Sequence, residues 1–345
     1  MISSTRRLLS SLPPTETLDL QSGLSLQPRL KLLLTFFRSD LSVKPVDEWQ
    51  LKRALLDFVR DSLNISISED ALTVRKQSDL HKRKREESVA FGSLYVRDLG
   101  FLKKTKKYED DSGDNCDVLK KKFLKWREEV VRKTDGIELN LQGVKFRLKV
   151  EVPLADDFER LRKDWEEFYS WKPSGNRYSG GVARRPDTII VKAVPSRWFA
   201  ETRVSSKPSM LVTHTIFSVL GKIRNINVSG DDDLGRATED NIVSGLHCKI
   251  YVQFDNYDDF CGALTALSTR SLLKEGSRLI ADYEVSWDRD GFFRNMPQRM
   301  GGSQKEARVG QAGSSLNRHK MESSRFQPYN SRLNSDGFRS RRFRE

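Results

Sequence analysis

Cysteine is scarce in this sequence: Cys116, Cys248 and Cys261 are the only three in 345 residues. Their odd number and wide scatter exclude a disulfide framework and a zinc site, so they are expected to be buried apolar residues in a reducing compartment. Histidine is nearly as rare, and His81, His214, His247 and His319 fall at no metal-ligand spacing. No run of about 18 apolar residues occurs, so no helical membrane span is expected. The phosphate-cradling Gly-Lys-Ser/Thr loop, the Gly-x-Ser-x-Gly elbow and the His-Glu-x-x-His helix are all missing. These absences give no reason to expect an enzyme, a cofactor or a metal. An apolar h-region is also missing from the amino terminus, which rules out a secretory signal. Arg6, Arg7 and Leu8-Leu9 faintly resemble an organellar transit peptide, while Pro13-Pro14, Glu16 and Asp19 favour a disordered lead-in over residues 1–27.

What the chain has instead is charge. Charged residues make up 32% and hydrophobic ones 37%, with 61 Lys+Arg against 48 Asp+Glu. The excess is uneven. Residues 288–345 hold 13 basic and 6 acidic residues, whereas residues 185–287 hold 12 and 13. A basic, weakly apolar tail (291–345) points to a polyanion, nucleic acid first. The tail interleaves arginine with aromatics and ends in Phe338-Arg339-Ser340-Arg341-Arg342-Phe343-Arg344. Arg339, Arg341, Arg342 and Arg344 are thus candidate RNA contacts through charge and stacking. Lys82, Arg83, Lys84 and Arg85 form a second basic cluster that fits a nuclear-import signal.

Periodicity organises the rest. Leu30–Phe37 reads as a buried strand, and Val46–Ser62 as a helix with Leu51, Leu55, Phe58 and Val59 on one face. Asn64–Arg75 and Ser88–Leu99 are strand-like, Lys103–Cys116 is a charged loop, and Val118–Lys133 is a helix. In Val144–Val152, Val144, Phe146, Leu148, Val150 and Val152 alternate with Lys145, Arg147, Lys149 and Glu151, the mark of a half-buried strand. The order β-α-β-β-α-β over 28–153 is ferredoxin-like. Residues 154–184 hold an amphipathic helix, Asp156–Trp171, and a Gly/Pro/Ser-rich linker. The order repeats over 185–290: a strand at Asp187–Pro195, a helix at Pro208–Leu220, strands at Lys222–Val228 and His247–Phe254, a helix behind Asn256, and a strand at Ile280–Trp287. The expected fold is α+β, with two ferredoxin-like domains and a disordered basic tail.

The phrases IFSVLGKIRNINV and KIYVQFDNYDDFCGAL resemble the helix-to-second-strand and third-strand-to-helix segments of an RNA recognition motif. In that family, aromatics on a first-strand hexapeptide and a third-strand octapeptide stack on bases. The matching segments here are Ile189–Val194 and His247–Phe254, and the three stacking positions fall on Ile190, Lys249 and Tyr251. Only Tyr251 is aromatic. Since each stacked base is worth about 1–3 kcal/mol, stacking is expected to be weak. Lys192, Arg197 and Lys249 are candidate phosphate contacts, and Trp198-Phe199 could stack on a base or cover the core.

RRPDTIIVKAVPSRWFA, KPSMLVTHTIFSVLGKIRNINV and KIYVQFDNYDDFCGALTAL resemble, more specifically, the A-kinase anchor protein 17A family, also described as arginine/serine-rich type splicing factors. The likeness is good over about 137–290 and weak over 24–136. It implies a nuclear protein whose partners are single-stranded pre-mRNA and splicing-associated proteins, with the mitochondrion as the alternative location. The chain resembles a short form without that family's long charged extension, so kinase anchoring is not implied. The rival reading is a protein-interaction scaffold whose recognition motif binds proteins rather than RNA. The domain at 28–153, whose third strand near Phe91–Val96 lacks an octapeptide, is expected to be structural or protein-binding.

Overall fold

The first strands among the described residues are two short ones, β1 (Leu18–Asp19) and β2 (Leu24–Pro28). They lie in the stretch read from composition as a disordered lead-in, and that reading is corrected here. Ser22 and Gly23 turn the chain at φ 63° and 68°, and Leu24 and Leu26 become fully buried. They pair with each other through that turn, but the strand that buries β2 on its other edge, at Arg270–Lys274, is far along the sequence. The computed structural model describes residues 9, 12–39, 47–77, 87–103, 115–171, 185–201, 207–230, 246–277 and 279–295. The Lys82, Arg83, Lys84 and Arg85 cluster, the 172–184 linker, and Arg339, Arg341, Arg342 and Arg344 of the tail fall outside them.

The first domain holds β3 (Leu30–Arg38), α1 (Glu48–Leu63), β4 (Leu72–Lys76), β5 (Ser88–Val96), α2 (Asn115–Thr134), β6 (Glu138–Leu141) and β7 (Val144–Glu151). The sheet order is β4-β5-β3-β7-β6, all antiparallel. This is the ferredoxin-like arrangement with β6 added at one edge. The β6–β7 hairpin turns through Gln142 and Gly143, both at positive φ, a geometry whose twist suits paired strands. Asp47 caps α1 by accepting from the Trp49 and Gln50 amides. Leu51, Leu55 and Val59 of α1 and Phe123 and Val130 of α2 bury against Leu32, Leu34, Phe36, Leu94 and Leu148. Alternation leaves the other sheet face to solvent.

The second domain holds α3 (Phe158–Trp171), β8 (Thr188–Pro195), α4 (Met210–Phe217), β9 (Ile223–Gly230), β10 (His247–Phe254), α5 (Tyr257–Ser268), β11 (Arg270–Lys274), β12 (Ile280–Ala281), β13 (Glu284–Trp287) and the single turn α6 (Phe292–Asn295). Its main sheet runs β13-β8-β10-β9, again fourth-first-third-second. The chain is therefore α+β, built from two ferredoxin-like sheets with helices on one face of each. The segment expected as one strand, 280–287, is split. β12 pairs with β11 and β13 with β8, and Asp282 sits at the break, bonded to Ser271 and Arg97. β11, which periodicity does not announce, completes a sheet β1-β2-β11-β12 with Leu272 opposite Leu26. Gly221 ends the α4 region at φ 155°; a Cβ there would lie 2.6 Å from that of Asp259. Of the cysteines, only Cys248 is buried, whereas Cys116 and Cys261 are half-buried.

Buried charge joins the domains. Arg29, 2% exposed, donates from Nη1 to Asp156 at 2.6 Å and from Nε to the Arg270 carbonyl at 3.2 Å. Arg97 pairs with Asp282 at 2.9 Å and Arg127 with Asp157 at 3.0 Å. Burial pushes Asp156 up to about 6 despite the guanidinium beside it. Helix α3 packs into the second core through Leu161 and Trp165, the latter edge-on to Phe260 at 5.6 Å.

Candidate nucleic-acid interface

The β8 and β10 strands form because their residues are β-branched or aromatic and mostly buried, and side chains at every second position share one face. That places Ile190 and Tyr251 directly opposite each other, with Ser286 of β13 and Asn227 of β9 completing the row. Lys192 and Lys249 lie on the same face at a bulge, where Lys192 and Ala193 of β8 stand against Lys249 alone. Ala193 takes a φ of 60°, a strained conformation for a residue with a side chain. The Lys249 ammonium is 4.6 Å from the centre of the Tyr251 ring. Four of the expected sheet residues, Ile190, Lys192, Lys249 and Tyr251, are thus brought together. Arg197 is not on the sheet; it sits exposed on the short turn Ser196–Phe199 that follows β8. Phe199 is fully buried and stacks on Phe217 at 6.1 Å, so it serves the core, and Trp198 packs partly buried against the same core.

The face is not open. Phe292 of α6 stacks on Tyr251 with ring centroids 4.0 Å apart and planes at 13°. Tyr251 and Ile190 are each only 8% exposed. The Asp288 carboxylate holds the covering turn by accepting from the amides of Asp290, Gly291 and Phe292, the last at 2.6 Å. The Asp288 amide donates in turn to the Thr188 carbonyl, which anchors the turn to β8. Beside it, Asn225 donates to Gln253 at 2.6 Å and Gln253 to Asp187 at 2.9 Å, closing that end of the face with polar bonds. Sequence reading missed Phe292. Its signal was an aspartate followed three and four residues later by glycine and phenylalanine, a capped turn inside what reads as tail.

Elsewhere the described residues hold no cluster of three or more metal-ligating side chains. None of their helices is long and apolar enough to cross a membrane. Burial raises the Cys261 thiol above its ordinary value, which makes it a poor nucleophile. A cleft of about 710 Å3 lies on the helical side, walled by Phe123, Phe158, Arg162 and Cys261, and none of the sheet-face residues lines it.

The sequence profile of the AKAP-17A-like RNA-binding domain matches residues 120–324. A-kinase anchor protein 17A of Homo sapiens is 30% identical over 186 residues, covering 48% of this chain and 26% of that protein. The chain thus spans about a quarter of the length of that relative. Among solved structures, one of the N-terminal three RNA-binding domains of the yeast splicing factor Prp24 aligns at 13% identity and a TM-score of 0.17, covering 75% of this chain and 66% of that one.

Proposed function

The chain belongs to the AKAP-17A-like family of RNA-binding domains, and from that membership we propose that it is a nuclear RNA-binding protein acting in pre-mRNA splicing. The observation that carries the reading is the coincidence of the family match with the sheet at 188–287. The order is fourth-first-third-second, and the two central strands place Ile190 opposite Tyr251 with Lys249 and Lys192 alongside. The basic excess of residues 288–345 supplies the counter-charge that non-specific RNA affinity requires. The splicing role and the nuclear location rest on the family resemblance and on the Lys82–Arg85 cluster, and splicing-associated proteins are the partners it implies. Kinase anchoring is not part of the proposal.

Ultraviolet cross-linking of the tagged full-length chain in cells tests it. The expected result is nuclear staining and cross-links enriched in intron-containing RNA. Mitochondrial staining, or no RNA above background, overturns it. The second reading, a protein-interaction scaffold, is favoured by one specific observation: Phe292 already occupies the face of Tyr251, the one aromatic among the three recognition-motif stacking positions.

A further inference from the structure

The stacking face of the second domain is covered, whereas no described helix or turn packs on the corresponding face of the first. Its rows can be read across four strands. Arg75 lies opposite Phe91, Phe91 opposite Thr35, and Thr35 opposite Lys149. One step along, Ser93 lies opposite Leu33; two steps along, Tyr95 lies opposite Lys31. In the other direction Phe37 lies opposite Arg147. Phe91 is 49% exposed and Leu33 38%, although both are on interior strands. The helices α1 and α2 pack on the opposite face, against Leu32, Leu34, Phe36 and Leu94.

About half of the Phe91 side chain is left to solvent in mid-sheet, hydrophobic surface that the domain's own core does not use. The charge around it says what would use it. Lys145 and Lys149 are engaged with Glu138 and Glu151 at 3.7 and 2.6 Å. Arg75 and Arg147 make no ion pair among the described residues. The second ring, Tyr95, has Lys31 at 5.8 Å from its centre; the nearer Arg97 and Arg29, at 4.8 and 5.6 Å, are already paired with Asp282 and Asp156. Flat π-faces among cations suit a ligand with its own π-faces and repeated negative charge.

We infer that the outer face of the first sheet, centred on Phe91 with Arg75 and Arg147 flanking it, is a second platform for single-stranded RNA. Phe91 stacks on a base, and the two guanidiniums take backbone phosphates. Phe91 and Tyr95 are four residues apart on β5, about 13 Å, rather than two apart as in the octapeptide pattern. A motif of fixed spacing therefore passes over this strand, which is why the domain reads from sequence as structural or protein-binding. The inference rests on the RNA-binding reading above and names where much of the binding takes place.

The test is fluorescence anisotropy of the full-length chain with a labelled random-sequence single-stranded RNA pool, between about 50 and 300 mM salt. Phe91→Ala should weaken binding about fivefold or more, the worth of one stacked base, while Phe91→Tyr keeps it within about twofold. The double variant Arg75→Ala/Arg147→Ala should lower the slope of log affinity against log salt by about 1.4, at about 0.7 for each phosphate no longer neutralised. Since these side chains are exposed, the melting temperature should stay that of the parent chain. If the parent binds RNA and these variants bind equally well with the same slope, the platform is wrong and the RNA-binding reading stands. If the parent binds no RNA, that reading falls and the platform with it. If the variants keep RNA affinity but fail to bind a protein partner, the face docks protein and the inference is overturned.

Discussion

Phe292 lies flat on Tyr251, with ring centroids 4.0 Å apart, and covers the ring face that the proposed function assigns to an RNA base. The lid is a four-residue turn held by the Asp288 cap and by Arg294 pairing with Asp187 at 3.7 Å, so it is a small device set over the sole aromatic of the three stacking positions. An aromatic pair of this kind is worth about 0.5–1.5 kcal/mol. A base that replaces Phe292 gains a similar stack but must first displace it. Phe292→Ala should therefore raise RNA affinity roughly two- to tenfold. Tyr251→Ala in the same background should abolish that gain. Anisotropy titrations of the single and double variants check both. A fall in affinity on Phe292→Ala would show that Phe292 is itself a stacking platform.

The strands at the amino terminus bear on the stability of the second domain. Leu26 is fully buried opposite Leu272 and belongs to the core that holds Trp165, Phe260 and Tyr283. Leu26→Ala should cost about 2–5 kcal/mol, the usual penalty for a buried leucine truncated to alanine. Chemical denaturation of the full-length chain measures it. A fragment beginning at residue 185 lacks β2 altogether, so β11 is left as an unpaired edge and the fragment should be markedly less stable than the full chain.

How much of this was legible in the sequence depended on where each partner lies. Val144–Val152 declared itself because one face is buried and the other solvated, which forces an alternation of period two. His247–Phe254 was read with its observed bounds because its residues are almost all buried and turn residues flank it. Leu24 and Leu26 were not read, since their alternation is only two residues long and the strand they join begins at Arg270. Position explains the site in the same way. Ile190 and Tyr251 followed from the family's hexapeptide and octapeptide mapped onto two strands, whereas Phe292 reaches Tyr251 through a turn fixed by Asp288, with no periodic signal at all. The same mapping puts Arg197 near the sheet surface, but the chain leaves the sheet at Pro195 before reaching it.

The joint between the domains should leave a mark on pH dependence. Asp156 is buried, and its carboxyl is raised from 3.8 to about 6, by burial first, against the pull of Arg29. In the unfolded chain the group titrates near 3.8. Between these values the folded state binds the proton and the unfolded state does not, so this group favours folding increasingly as pH falls from about 7 to about 4. The gain amounts to about 2–3 kcal/mol. Asp156→Asn should remove that pH-dependent component and also leave the buried Arg29 without its nearest carboxylate, at a cost of about 3–5 kcal/mol. Unfolding free energies of parent and variant across that pH range measure both effects. A parent-minus-variant difference that stays constant with pH would show that Asp156 titrates normally.

Residues 297–345 carry 11 basic and 4 acidic residues, while the sheet face at Tyr251 offers Lys192 and Lys249 against Glu284. If the tail holds RNA chiefly through its phosphates, cutting the chain after Met296 should weaken binding by a similar factor for every RNA sequence. The cut leaves Phe292 and the Asp288 cap in place, so it does not open the face of Tyr251. It should also flatten the salt dependence, by about 0.7 in the slope of log affinity against log salt for each phosphate that the tail neutralises. Variants on a base-reading surface behave differently, changing preference among sequences with little change in slope. Titrations of full-length and truncated chains against oligouridine, oligoadenosine and a random pool, each at several salt concentrations, separate the two patterns. Unchanged affinity and slope after truncation would make the tail a solvated appendage. A weakening confined to one of the RNAs would show that it reads bases.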